Sequence, residues 1–183
     1  MTRDEALEIL HEHVQNENLR KHADAVEAAM RAYARKLGED EEYWGVVGLL
    51  HDFDWEIHPT LEEHPQKGGE ILRARGADEA LIEDIQAHAR HTGVPRDTPV
   101  RQALFAVDEL AGFIVACALV RPTGISDLQA KSVKKKMKDS SFAAAVSRDD
   151  IRDGAEDLGV DLTEHIDFVI EAMREISGEL GLV

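Results

Sequence analysis

The sequence predicts an all-α fold, and three observations support that prediction. Apolar residues recur three and four positions apart along most of the 183 residues, as they do on the buried face of a helix. No segment shows the alternation of β-branched and polar residues that is typical of a strand. Capping residues and helix-ending glycines separate the periodic segments. A chain of this length can bury a core without disulfides, and we expect one domain over residues 1–183.

Three helices are predicted near the N-terminus, over residues 2–14, 18–37 and 40–51. Thr2 and Glu5 have the spacing of a capping box, in which two side chains satisfy free amides of the first turn. Asn18 is expected to cap the second helix, and Gly38 to end it. Asp40 is expected to cap the third helix. That helix is apolar on nearly every side, so we expect it to be buried.

Three more helices are predicted for the middle of the chain, over residues 60–75, 78–90 and 98–120. Pro59 marks a loop before the first of them. Gly68 and Gly69 lower the stability of that helix and indicate that another backbone or a ligand comes close. Asp78 is expected to cap the next helix. Thr98 precedes a proline at the first turn of the last one, which we expect to be the buried central helix.

The remaining helices are predicted over residues 126–138, 148–158 and 161–180. Arg121 and Pro122 break the chain before the first of them, and Ser126 is expected to cap it. This helix is basic, and four of its residues share one stripe because they recur at helical spacing: Lys131, Lys134, Lys135 and Lys138. The two closing helices are expected to be structural.

The chain is strongly acidic, with a formal net charge of −16. An extended nucleic acid would be repelled by this charge, so we do not expect one as a partner. Residues 121–148 are the exception, with seven basic and two acidic residues. We expect this segment to attract an anion, although a basic helix also fits an ordinary solvated surface.

Composition also predicts the compartment. Cys117 is the single cysteine, so no disulfide can form within the chain, and a reducing, cytoplasmic location is expected. The first residues are acidic where an export signal needs a basic region. Residues 103–120 approach the length of a membrane span, but Asp108 and Glu109 lie within them. We therefore expect a buried helix and no membrane association.

A histidine followed by an aspartate, His51-Asp52, ends the third predicted helix. With His22 on the second helix and Asp108 on the sixth, the pair supplies imidazole nitrogens and carboxylate oxygens to one volume. This ligand set suits a divalent ion such as Mn, Fe, Mg, Co or Ni, whereas a structural zinc favours thiolates. His22 also fits a hydrogen-bonded core position, and Asp108 also fits a helix cap or an arginine partner.

The order of these residues resembles the HD-domain superfamily of metal-dependent phosphohydrolases. Its H, HD and D motifs correspond to His22, His51-Asp52 and Asp108, within a metal-binding core of residues 18–115. Similarity to an HDIG-like branch of predicted HD hydrolases covers nearly the whole chain. The resemblance implies a helical bundle with a buried central metal site, followed by the basic and closing helices.

A second metal ion is implied by the same resemblance. Residues 64–72 resemble the region after the HD pair in two-metal members of the superfamily. There His64 and a later histidine complete a second site, and Asp52 bridges the two ions. His88 is the better match for the later ligand, and His91 competes with it. The two are three positions apart, which fits a shared metal and an exposed histidine pair equally well.

The resemblance and the ligand chemistry together imply hydrolysis of a nucleotide or another small phosphorylated metabolite by activated water. His51 and Asp52 are assigned the catalytic role. Candidates to balance the charge of the substrate are Arg121, Lys131, Lys134 and Lys135. Candidates to orient the histidines are Asp54, Glu56 and Glu109. Cyclic-di-GMP is disfavoured, because the GYP motif is absent and Asp54 replaces the lysine of enzymes that act on it.

Two alternatives stay open. A few proteins with the HD fold and the same ligand types are di-iron oxygenases, and ligand chemistry does not separate them from hydrolases. A non-catalytic sensor would bind a nucleotide through the basic helix without turnover. Neither the oligomeric state nor the identity of the substrate is predicted.

Overall fold

Ten α-helices and one short 3₁₀ helix make up the regular structure, and no strand is present. A computed structural model describes all residues from 1 to 183. The α-helices are α1 (Arg3–His13), α2 (Glu17–Leu37), α3 (Glu41–Leu50), α4 (Gln66–Ala74), α5 (Glu79–Gln86), α6 (Pro99–Leu119), α7 (Ala130–Lys136), α8 (Arg148–Asp157), α9 (Leu162–Glu175) and α10 (Ser177–Leu180). The 3₁₀ helix covers Arg90–Thr92. The prediction of an all-α fold is confirmed.

Helix α6 lies at the centre of the fold. It packs against α2, α3, α5, α7, α8 and α9, and most of its apolar residues are buried. By length and composition it is also apolar enough to cross a membrane, with a mean hydropathy of 1.7 over an 18-residue window. Within the fold, 61% of that window is buried, as in the core helix of a helical bundle. The expectation of a buried central helix is therefore met.

Two glycines let helices approach each other closely near the predicted ligands. A Cβ added to Gly48 of α3 would lie 3.1 Å from a backbone Cα of α2. A Cβ added to Gly154 of α8 would lie 2.6 Å from the Cα of Ala106 in α6. Gly48 precedes His51 by three residues, and Ala106 precedes Asp108 by two. The close packing therefore sets the positions from which these two side chains extend.

Several predicted caps are present. The capping box of Thr2 and Glu5 begins α1, while Asp40 and Asp78 accept amide hydrogen bonds at the starts of α3 and α5. The cap of α2 is Asn16, where Asn18 was expected. The side-chain oxygen of Asn16 accepts a hydrogen bond from the amide of residue 18 over 2.9 Å, which places the cap two residues earlier.

Other predicted boundaries were wrong. Helix α4 begins at Gln66 and not at residue 60, because Pro65 disfavours helix at the residue before it. Helix α5 ends at Gln86, four residues earlier than predicted. Ser126 does not cap α7, because its hydroxyl donates to the carbonyl of residue 123 and the helix starts at residue 130. The final predicted helix is divided at Ile176 into α9 and α10.

Candidate metal centre

Four potential metal ligands converge in the interior of the fold. His22 comes from α2 and Asp108 from α6, whereas His51 and Asp52 follow directly after α3. The Nε2 atom of His22 lies 3.2 Å from Nε2 of His51 and 3.1 Å from Oδ1 of Asp108. The Nε2 atom of His51 lies 3.3 Å from the same Asp108 oxygen and 3.5 Å from Oδ2 of Asp52. These atoms surround a volume the size of one ion, and we call the four residues the first cluster.

A second cluster shares Asp52 with the first. Its other members are His64, which precedes α4, and His88, which follows α5. The Nε2 atoms of these two histidines are 3.1 Å apart, and each lies 3.3 Å from Oδ1 of Asp52. Because Oδ2 of Asp52 faces the first cluster and Oδ1 faces the second, this carboxylate bridges the two.

In three histidines a hydrogen bond made by Nδ1 determines which ring nitrogen carries the proton. Nδ1 of His51 donates to the carbonyl of Gly48 over 2.8 Å, and Nδ1 of His88 donates to the carbonyl of Ile85 over 2.7 Å. Nδ1 of His64 donates to a carboxylate at 2.7 Å. In the neutral form of each ring, Nε2 therefore carries a lone pair that points into a cluster.

This arrangement fits a metal ion. In the second cluster two Nε2 lone pairs and a carboxylate oxygen face one another at 3.1–3.3 Å with no donor among them. Such a set of acceptors is stabilised only by a cation, either protons or a metal ion. The nitrogen and oxygen donors suit a divalent first-row metal or magnesium.

The pKa values show how strongly the carboxylates act on the histidines. Burial lowers the pKa of His51, but the charges of Asp52 and Asp108 outweigh burial and raise that pKa well above its ordinary value. Burial lowers the pKa of His64 as well, yet hydrogen bonds to Asp52 and Asp54 raise it to about 9. The carboxylates therefore favour positive charge at these positions, whether it is carried by a proton or by a metal ion.

Asp54 holds His64 in place. It is fully buried, and its Oδ1 accepts the hydrogen bond from Nδ1 of His64. Its Oδ2 accepts from the amide of Gly68 over 2.8 Å. A Cβ at Gly68 would lie 2.7 Å from the Cγ of Asp54, and a Cβ at Gly69 would lie 2.7 Å from Nε2 of Gln86. Side chains therefore approach this glycine pair, where a backbone or a ligand was expected.

A cavity of about 410 Å³ opens onto both clusters. Its floor includes Asp52, and its walls carry the aromatic side chains of Trp55 and Phe105. The ring of Trp55 packs edge-on against His64, with the centroids 5.1 Å apart. The guanidinium of Arg90 lies over the ring of Phe105 at 4.8 Å. The cavity therefore offers a metal-ligand floor, two aromatic walls and one arginine to a small molecule.

Comparison with known families gives one result that covers most of the chain. The family described as HD domain matches residues 19–176. The chain belongs to the HD-domain family. HD-domain proteins are generally metal-dependent hydrolases, in agreement with the buried clusters of histidine and aspartate. No curated protein matches the sequence.

Three residues that the sequence placed at the centre of this HD-domain protein lie outside its clusters. His91 is not a member of the second cluster, because its Nε2 donates to the backbone carbonyl of His64 over 2.8 Å. Glu56 does not orient a histidine; it accepts hydrogen bonds from the amides of residues 15 and 16. Glu109 lines the cavity but accepts from the amide of Ser147 at the start of α8. Burial and the charge of Asp108 raise the pKa of Glu109 to about 7.

None of the four basic residues expected to bind substrate lines the cavity of the HD centre. Lys134 donates to Thr163, and Lys131 faces a different depression beside α9. Arg121 pairs with Asp127, and both Arg121 and Lys135 line a separate cavity. Helix α7 is packed against α9 and the C-terminal part of α6, which explains why its lysines lie away from the metal ligands.

Among the cavity residues that the sequence did not assign to the site, local spacing pointed to Trp55, Phe105 and Arg90. Trp55 follows the HD pair by three positions. Phe105 precedes Asp108 by three positions on one helix, so the two share a face. Arg90 lies between His88 and His91 in the chain.

Proposed function

We propose that this HD-domain protein is a metal-dependent phosphohydrolase that acts on a nucleotide or another small phosphorylated metabolite. The observation that carries the proposal is the bridging carboxylate of Asp52 between two histidine clusters on the floor of the 410 Å³ cavity. Divalent ions held there would polarise a phosphoryl oxygen and lower the pKa of water. No Ser, Thr or Cys side chain lines this cavity, so water is the nucleophile that the site can supply.

The residues of the two clusters would bind two ions, one in each cluster. His22, His51 and Asp108 would hold the first ion, and His64 and His88 the second, with one oxygen of Asp52 directed to each. Asp54 and the carbonyls of residues 48 and 85 keep three of the histidine rings in the orientation that presents Nε2. The protein thereby prepares the ligand geometry before substrate arrives.

The charged residues that line the cavity support the same metal-dependent function. The cavity is lined by the carboxylates of Asp52, Asp108, Glu109 and Asp150, and Arg90 is its one arginine. Without bound cations this surface would repel a phosphate group. Arg90 itself is anchored by hydrogen bonds of 2.6 Å to Asp150 and Asp153. Metal ions in the clusters would therefore strengthen the attraction of an anionic substrate.

An aromatic wall favours a substrate that carries a flat organic group. Trp55 lines the cavity, and an aromatic ring stacks well on a nucleobase, whereas Phe105 is 4% exposed and has the guanidiniums of Arg90 and Arg96 over its ring. The phosphate would then lie towards Asp52 and the organic group towards Trp55. This arrangement supports an organic phosphate over inorganic phosphate or a polyphosphate chain.

The test combines metal analysis with a panel of phosphate esters and nucleotides. Protein loaded with Mn or Mg is expected to release phosphate or a nucleoside product under argon, and the Asp52→Asn variant is expected to be inactive. Turnover that requires iron and O₂ would identify an oxygenase and overturn the proposal. Tight nucleotide binding with no product on the whole panel would identify a sensor and would also overturn it.

A further inference from the structure

A second cavity of about 560 Å³ lies beside the C-terminal end of α6, between that end and α7. Its walls include Cys117, Val120 and Leu128, and it shares no residue with the cavity of the metal centre. Cys117 follows Asp108 by nine residues on one helix, which corresponds to about 13 Å along the axis. The second cavity is therefore a separate site on the molecule.

Cations dominate the second cavity. Arg121, Lys135 and Lys136 line it, and Asp139 is the only acid among the lining residues. The Oδ1 atom of Asp139 already accepts two hydrogen bonds from Ser141. In a chain with a net charge of −16, such a concentration of positive charge around a concave surface attracts anions.

The cations of this cavity are poorly neutralised. Neither Lys135 nor Lys136 forms an ion pair with a carboxylate, although the ammonium of Lys136 lies over the ring of Phe142 at 4.4 Å. Arg121 pairs with Asp127 through Nη2 over 2.7 Å, but its Nε is buried and has no hydrogen-bond partner. Because this Nε is enclosed, a ligand in the cavity would meet the rest of the Arg121 side chain, which is 28% exposed.

Two of these cations act on the thiol of Cys117. Burial raises the pKa of this thiol to about 11, while Lys136, Arg121 and Arg148 act in the opposite direction. Lys136 and Arg121 line the cavity together with Cys117, whereas Arg148 does not. The apolar walls beside them are formed by Val120, Pro122 and Leu128.

We propose that this second cavity binds a small organic phosphate, independently of the metal centre. Lys135, Lys136 and the guanidinium of Arg121 would hold the phosphate group, and the apolar walls would contact the organic part. This site would use three of the seven basic residues of segment 121–148, none of which lines the cavity of the metal centre.

The test uses the full chain in excess EDTA, so that no metal ion at the HD centre can attract phosphate. Isothermal titration with ADP is expected to show saturable binding of about one molecule per chain. Inorganic pyrophosphate is expected to bind more weakly than ADP, because it lacks the organic part, and adenosine is expected not to bind. Equal binding of ADP and pyrophosphate would overturn the organic part of the assignment.

Two double variants locate the site. Lys135→Gln with Lys136→Gln removes two charges of the cavity, and Lys131→Gln with Lys138→Gln removes two charges of the same basic segment outside it. The first pair is expected to weaken ADP binding at least about tenfold and the second to change it less than about twofold. Equal losses would show diffuse attraction by the surface and overturn the proposal, as would the absence of saturable binding at ~10 mM ADP. Because EDTA is present throughout, failure here leaves the proposed hydrolase activity unaffected.

Discussion

Asp52 connects the two halves of the metal centre through its two carboxylate oxygens. One oxygen faces His51, and the other lies 3.3 Å from both His64 and His88. Loss of Asp52 would therefore affect both clusters, whereas loss of a ligand that belongs to one cluster would affect that cluster alone. His88 contributes to the second cluster alone, because its Nδ1 is occupied by the carbonyl of residue 85.

Metal stoichiometry distinguishes these two roles. Wild-type protein is expected to bind about two ions per chain, Asp52→Asn close to none, and His88→Ala about one. The measurement is elemental analysis after loading with Mn and removal of free ion. His91→Gln is the matched control, because His91 is a neighbouring histidine outside the clusters, and it should keep both ions. If His91→Gln lost one ion and His88→Ala kept both, His91 and not His88 would be the metal ligand.

The Gly68→Ala substitution tests whether the hydrogen bond from His64 to Asp54 holds the His64 ring in place. In Gly68→Ala the new Cβ would lie 2.7 Å from the Cγ of Asp54, so the carboxylate must move and His64 loses its fixed orientation. We expect the affinity of the second ion to fall about 10–100-fold, as for other supporting hydrogen bonds of metal ligands. Competition with a chelating dye measures this affinity.

The control for that substitution is Gly112→Ala on α6. Its Cβ would lie 3.8 Å from Nδ1 of His22, which is ordinary contact, and Ala favours a helix interior. Metal affinity is expected to stay unchanged there. Equal affinity in wild type and both variants would show that Asp54 does not support the site through Gly68.

Helix ends and close helix contacts position the ligands at the level of secondary structure. His51 and His88 each follow the end of a short helix, and each donates Nδ1 to a carbonyl three residues earlier. Carbonyls of the last helical turn therefore orient both rings. On the other side of the site, Gly154 lets α8 approach α6 near Asp108.

Gly154→Ala tests this approach. The new Cβ would lie 2.6 Å from the Cα of Ala106, so α8 must move away from α6. We expect the free energy of unfolding to fall by about 1–3 kcal/mol, measured by denaturation in urea. In Gly178→Ala of α10 the new Cβ has no neighbour within 4 Å, and no loss is expected. An unchanged free energy in the Gly154 variant would show that the two helices can separate without cost.

His165 joins three helices across the whole molecule. It lies on α9, accepts a hydrogen bond at Nδ1 from the hydroxyl of Tyr33 over 2.6 Å, and donates from Nε2 to the carbonyl of Ala106 over 2.9 Å. Burial is the main cause that lowers its pKa from 6.5 to about 4. The folded protein therefore keeps this ring neutral at pH values where the unfolded chain protonates it.

This difference predicts a loss of stability in acid. Between pH 6.5 and about 4 the unfolded state binds one more proton at this position than the folded state, so the free energy of unfolding falls as the pH falls. The contribution of His165 is about 1.4 kcal/mol per pH unit inside that window. It is measured as the difference between wild type and His165→Gln, which retains a donor and an acceptor but does not titrate.

Both proteins are to be unfolded in the same chelator, so that the histidines of the metal centre contribute equally to each curve. The variant is expected to lose less stability than wild type from pH 6.5 to 4. Parallel curves across that window would show that His165 does not remain neutral in the folded protein.

Much of the molecule follows from local patterns in the sequence. Apolar periodicity and capping residues were sufficient for the all-α fold, and Asp40, Asp78 and the capping box of Thr2 and Glu5 begin the helices that they were expected to begin. The four residues of the first cluster were expected together, from the His51-Asp52 pair, the carboxylate of Asp108 inside an apolar helix, and the order that they share with HD-domain proteins. These features depend on residues that are close in sequence or on strong costs of burial.

Tertiary packing decided the rest. Spacing alone left His88 and His91 equivalent, and the choice between them depends on α5 ending at Gln86 and on the carbonyl of His64 reaching His91. The lysines of α7 were expected at the metal centre, but the packing of that helix beside the end of α6 turns them to another cavity. The spacing of apolar residues indicates which face of a helix is buried. Which neighbouring helix covers that face depends on contacts between residues that are far apart in the chain, and these contacts cannot be derived from local spacing.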